Sequence, residues 1–145
     1  MDNVVIVGGT RTPIGNFGGS FKDMQASDLG AVAIRGVLER SGVDPASVEE
    51  VIMGNVIQAA ETGYSARRAM LAAGLPESTT AITVNRACSS GLEAINLAVM
   101  SIMTGQAEVI VAGGNESMSG VPYLMPGVRF QGPRMGDYTF IDALS

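Results

Sequence analysis

Short β-branched and apolar runs punctuate the chain at residues 4–7 (Val4-Val-Ile-Val7), 51–57, 81–84 and 109–112. Each is too short for a helix and is rich in Val, Ile or Thr, the pattern of strands buried on both faces. Between them, apolar residues recur at three- and four-residue intervals. Leu29, Val32, Ala33 and Val37 share one face of a helix predicted over 29–40, with Ser27 or Asp28 as N-cap and Ser41-Gly42 as the stop. A second helix is predicted over 65–73, ending at Gly74-Leu-Pro76, and a third over 89–103 with Leu92, Ile95, Val99 and Ile102 on one stripe. Residues 44–50 read as a short helical turn with Pro45 just inside its start. Strands alternating with helices at this spacing predict an α/β fold, a mainly parallel sheet covered by helices.

Beyond Gly120 the periodicity breaks. Pro122, Pro126, Gly127, Gly132, Pro133 and Gly136 interrupt a stretch kept apolar by Tyr123, Leu124, Met125, Phe130 and Met135, which reads as an ordered excursion rather than a flexible linker. Residues 138–145 stop on an apolar stretch without a capping signal, so the end reads as a truncation.

Composition narrows the classes. At 46% hydrophobic and 16% charged residues, with Gly 19 among 145, the chain has the material for a buried core and many tight turns. A net charge of -5 is the wrong sign for a nucleic-acid footprint. One cysteine excludes an intrachain disulfide framework, and no ligand-type residues have zinc-site spacing. With no secretory pattern at the start and no apolar run near the roughly 18 residues that span a membrane, the expected setting is soluble and cytoplasmic.

The chemistry centres on that cysteine. Cys88 lies where the run at 81–84 gives way to a helix through Arg86-Ala-Cys-Ser-Ser-Gly91, at a helix N-terminus where unpaired N–H groups favour negative charge. Small neighbours leave space around the sulfur, and a glycine in the first helical turn points to close approach of another group. The bland reading is a buried small residue. The chain has no histidine, so the usual base of a cysteine nucleophile is missing from it. From residue pattern alone, both readings of Cys88 stay open.

Other features have plainer readings. The glycine-rich loop from Gly8 to Gly19 lacks both phosphate-cradle spacings and reads as a turn after a strand. Glu116, in Asn115-Glu-Ser-Met-Ser119, follows the last strand at the sheet edge where parallel α/β proteins place function; hydrogen bonding is its expected role. Arg67 and Arg68 beside Tyr64 suit either an anion or an ordinary helix surface. Met118, Met125 and Met135 suit an acyl pocket or simple packing.

Taken together, Arg11-Thr-Pro-Ile-Gly15, Asn85-Arg-Ala-Cys-Ser-Ser-Gly-Leu-Glu-Ala94 and Gly113-Gly-Asn-Glu-Ser-Met-Ser119 closely resemble the thiolase family, in order along essentially the whole chain. The resemblance implies that Cys88 is the acylated nucleophile, with its backbone N–H in an oxyanion hole. It implies a five-layer α-β-α-β-α core of two similar halves, of which 1–119 would be most of the first and 120–145 the start of an inserted loop domain. It also implies reversible acyl transfer between acetyl-CoA and acetoacetyl-CoA, or thiolytic cleavage of 3-ketoacyl-CoA, as in fatty acid metabolism. Coenzyme A thioesters would be the substrates, without metal or redox cofactor. A homodimer or homotetramer is expected, with Arg134-Met-Gly-Asp137 in a region resembling the tetramerisation part. In the family a histidine, a water-positioning asparagine and a second cysteine come from the C-terminal half, so these 145 residues alone should be inactive. Asn115 departs from the pattern, since related enzymes often carry methionine or another apolar residue there. A ketoacyl-synthase-type condensing enzyme, or a non-enzymatic assembly half with a packed Cys88, are the competing classes.

Overall fold

Runs of β-branched residues followed by helices must pair in parallel, because each helix carries the chain back to the edge from which the previous strand began. The computed structural model, which describes residues 4–59, 61, 64–131 and 135–145, shows that outcome. Strands β1 (Glu50–Gly54), β2 (Thr80–Val84) and β3 (Ile110–Gly114) form a parallel sheet in the order β2-β1-β3. Ile52 stands opposite Ile82 on one side and Ala112 on the other. Around the sheet lie α1 (Ala26–Ser41), α2 (Ser65–Ala73) and α3 (Ser90–Met103).

Strand alternation splits the core between the two faces. Val51 and Met53 point to α1 and α2, where Ile34, Leu38, Val48, Ala66, Ala69, Met70 and Leu75 complete a buried cluster. Ile52 points the other way, against Ala94 and Ala98 of α3, with Val84, Leu97, Ile110 and Ala112 around them. Burying a side chain such as Ile34 or Ile52 stabilises the fold by about 1.5–3 kcal/mol. The helix stops follow their chemistry: Gly42 and Gly74 take φ of 71° and 92°, a left-handed conformation that costs glycine little.

Several expectations from periodicity are corrected. Residues 4–7 form no strand: Val5, Ile6 and Val7 are exposed and make no ladder. The segment and β3 both line a cavity of 380 Å³, together with Val37 of α1 and Val99 of α3. β1 ends at Gly54 rather than at residue 57: the Asn55 N–H still donates to the Val84 carbonyl, but those of Val56 and Ile57 turn away to a carboxylate described below. Helix α1 starts earlier, at Ala26, and Asp28 sits inside its first turn, accepting from the Gln25 N–H at 3.1 Å. Its buried face carries Ala26, Ser27, Gly30, Ala31, Ile34 and Leu38, not Leu29, Val32, Ala33 and Val37. Small residues decide this: a methyl group at Gly30 would stand 3.0 Å from the Ala69 Cβ, so α1 and α2 meet where side chains are least bulky. Helix α3 likewise seats Ser90, Ala94 and Ala98 on the sheet, leaving Leu92 63% exposed.

After a 3-10 turn at Met118–Gly120, β4 (Tyr123–Leu124) and β5 (Ile141–Asp142) pair antiparallel, with the short helix α4 (Val128–Gln131) between them. In this stretch Phe130 and Met135 are almost fully exposed, while Met125 and Leu144 are half-buried.

Candidate active site

The three parallel strands end side by side, and the residues after each one meet there. Gly54 is followed by a turn at 55–57, Val84 by Asn85-Arg-Ala-Cys, and Gly114 by Asn115-Glu116. The Glu116 carboxylate accepts from three donors of the first turn: Asn55 Nδ2 at 2.8 Å and Ile57 N–H at 3.3 Å on Oε1, and Val56 N–H at 2.8 Å on Oε2. Asn55 Nδ2 also donates to the Asn115 carbonyl at 2.9 Å, and the Asn115 N–H donates to the Gly54 carbonyl at 3.0 Å. Glu116 thus has the hydrogen-bonding role expected of it.

Cys88 stands just before α3 with its side chain exposed, which removes the buried-residue reading within these residues. It is presented by a strained elbow. Ala87 has φ of 48°, the one positive value outside glycine among the described residues, a conformation that costs an L-residue about 1–2 kcal/mol. Local bonds hold it. The Ala87 N–H donates to Asn85 Oδ1 at 3.0 Å, and the Ala87 carbonyl accepts from Ser90 N–H at 3.0 Å and Ser90 Oγ–H at 2.6 Å. The Arg86 N–H donates to Ser90 Oγ at 2.8 Å, and the Arg86 guanidinium pairs with Glu93 at 2.9 Å. Of the N–H groups expected to be free here, those of Ser89 and Ser90 are spent on the Arg86 and Ala87 carbonyls.

Close approach does occur at this helix start, but at a different glycine from the expected one. A methyl group added at Gly91 would meet nothing within 4 Å. At Gly54 it would lie 2.5 Å from the Ser90 carbonyl carbon and 2.6 Å from the Gly91 nitrogen. The end of β1 is therefore the floor on which the Cys88 elbow rests. Asn55, Asn85, the left-handed Ala87 and Gly54 were all missed as site residues. The Gly54-Asn55 dipeptide is a turn signal that a run of apolar neighbours concealed.

The remaining candidates sort out by their contacts. Arg67 straps α2 to the loop before β2, donating to the Thr79 carbonyl at 2.6 Å and the Glu77 carbonyl at 3.0 Å, so it is structural. Arg68 is exposed. Met118 is 46% exposed and Met135 97%, while Met125 is half-buried. In the loop from Gly8 to Gly19 the Gly18 N–H is taken by Ser119 Oγ at 2.9 Å. The expectation on Arg134 lies outside the described residues. Among the described residues no set of three or more His, Cys, Asp or Glu is grouped to hold a metal ion, and no helix is long and apolar enough to cross a membrane.

An exposed thiol on a strained turn, seated on a glycine floor and flanked by a hydrogen-bonded amide, is suited to attack on an incoming acyl group. Known proteins carry a similar stretch. Acetyl-CoA acetyltransferase of Cupriavidus necator is 49% identical over 144 residues, which is 99% of this chain and 36% of that protein. Acetyl-CoA acetyltransferase of Schizosaccharomyces pombe is 49% identical over 141 residues, and a probable acetyl-CoA acyltransferase of Staphylococcus aureus 46% identical over 144. The chain therefore spans little more than a third of the length of these relatives, 35–36%. The family model for the N-terminal domain of thiolase matches residues 4–145, and the chain belongs to the thiolase family.

Proposed function

We propose that the protein carrying this chain is an acetyl-CoA acetyltransferase in which Cys88 accepts the acetyl group. The observation that carries the reading is the exposed Cys88 thiol on the strained Ala87 elbow. The relatives' names and their near-complete coverage of this chain support the substrate class.

In this reading the Cys88 thiolate attacks the carbonyl carbon of acetyl-CoA. A C–S bond forms to Cys88, the bond to the CoA sulfur breaks, and CoA leaves as the thiol after taking up a proton. The oxyanion that develops in between is bound by the Cys88 N–H as one donor. A second acetyl-CoA then loses an α proton to a base, and its carbanion attacks the acetyl-cysteine carbonyl. Acetoacetyl-CoA is released and the Cys88 thiolate regenerated. The covalent intermediate replaces one difficult condensation by two easier steps. Thiolytic cleavage of a 3-ketoacyl-CoA is the same path in reverse.

The base is assigned to the part of the relatives' length that this chain does not span, and the 145 residues alone are inactive in this proposal. It also takes 1–119 as the bulk of one catalytic half and 120–145 as the start of an inserted loop domain, in a cytoplasmic homodimer or homotetramer.

The test is direct. Incubation of the complete protein with acetyl-CoA should add about 42 Da at Cys88, an acetyl group replacing a hydrogen. A folded, complete protein that stays unmodified would refute the proposal.

A further inference from the structure

Cys88 is held by the Ala87 elbow, and that elbow is in turn held from across the sheet. Asn85 binds at both ends of its amide: Oδ1 accepts from the Ala87 N–H at 3.0 Å, and Nδ2 donates to the Val56 carbonyl at 3.0 Å. Val56 is itself gripped on its other side, its N–H donating to Glu116 Oε2 at 2.8 Å. A continuous path therefore runs from Glu116 at the end of β3, through residue 56 beyond β1, to Asn85 beyond β2 and the residue preceding the nucleophile.

We propose that Asn85, supported by Glu116 through the 55–57 turn, is a positioning residue that fixes the direction in which Cys88 presents its sulfur and N–H. The proposal rests on Cys88 being the acylated nucleophile. Two magnitudes separate this role from a merely structural one. Asn85 is exposed, and each of its two exposed hydrogen bonds changes stability little. A misplacement of about 1 Å at a reacting group, in contrast, can lower a rate by about 100-fold. Ala87 makes the site sensitive to such a shift, because a left-handed non-glycine residue relaxes when its restraints are removed.

The variants divide the amide into its halves. Asn85→Ala removes both bonds, whereas Asn85→Asp keeps the acceptor for the Ala87 N–H and sets an oxygen against the Val56 carbonyl. Glu116→Gln keeps one acceptor oxygen and replaces the other by an amide donor facing donors.

The experiment is single-turnover acetylation of Cys88 by acetyl-CoA in the complete protein, alongside steady-state kcat and KM, thermal unfolding, and alkylation by iodoacetamide. Asn85→Ala should acetylate about 10–100-fold more slowly, with KM, melting temperature and alkylation rate near those of the unmodified protein, because geometry toward the thioester is lost rather than thiol chemistry or fold. Asn85→Asp and Glu116→Gln should show smaller losses of the same kind. Acetylation by Asn85→Ala at the original rate, or a loss that only follows a fallen melting temperature, overturns the positioning role and leaves the nucleophile intact. Absence of Cys88 acetylation in the unmodified protein overturns both readings.

Discussion

The two faces of the sheet are built differently. Toward α1 and α2, nine buried apolar residues interlock, Val51, Met53 and Met70 among them. Toward α3 the buried apolar cluster has three members, and much of the contact is backbone against backbone, where Gly54 and Gly114 meet Gly91 and its neighbour Ser90. The outward side of α3 leaves Leu92, Met100 and Met103 exposed. The first face supplies stability from apolar volume. The second supplies less, but it sets where Cys88 stands, because glycine contacts and hydrogen bonds to named atoms tolerate less displacement than an apolar cluster does.

That contrast can be broken at either face. The largest effect is expected at the thiol: Cys88→Ser in the complete protein should cut condensation and thiolysis by about 10⁴-fold or more with the melting temperature nearly unchanged, since nucleophilicity is lost and little volume. On the α1/α2 face, Ile34→Ala should destabilise by about 2–5 kcal/mol in denaturant unfolding, with kcat unaffected wherever the protein is still folded. On the α3 face, Gly54→Ala should cost both stability and rate. Its added methyl would strike the backbone of Ser90 and Gly91, pushing the elbow outward and lowering kcat about 100-fold, more than its loss of stability accounts for. A result in which Gly54→Ala only lowers the melting temperature would erase the distinction between the faces. The smallest effect concerns Asn115, buried with neither side-chain Nδ2 nor Oδ1 bonded. Asn115→Leu should raise stability by about 1 kcal/mol, seen as a higher melting temperature, because two unsatisfied groups are removed from the interior.

How much of this was legible in the residue pattern depended on range. Helix α2 and strand β2 were set by local signals, β-branched residues at 81–84 and Gly74 at the helix stop, and they lie within a residue of where those signals place them. The buried faces of α1 and α3 were misread. Periodicity ranks positions by apolarity, whereas packing selected the small residues Gly30, Ala31, Ala94 and Ala98 that let backbones approach. The run at 4–7 carries every mark of a strand, yet a strand also needs a partner's N–H and C=O groups, which no local pattern can supply. At the site, Cys88 announced itself through small neighbours and a helix start. Asn55 and Asn85 did not, since an asparagine after a strand is an ordinary turn residue until tertiary structure brings Glu116 to it.

The tie between Glu116 and residue 56 spans 60 positions of sequence, and that between Asn85 and residue 56 spans 29. Contacts of such separation form only after long loops have closed, which places them late in folding. During synthesis, a nascent chain that has emerged only as far as α3 already exposes the Cys88 thiol, yet it lacks the carboxylate that anchors the turn beneath it. In the proposed reading the geometry at Cys88 therefore matures with the docking of β3, and an incompletely folded chain carries an exposed thiol on an elbow that Glu116 does not yet support.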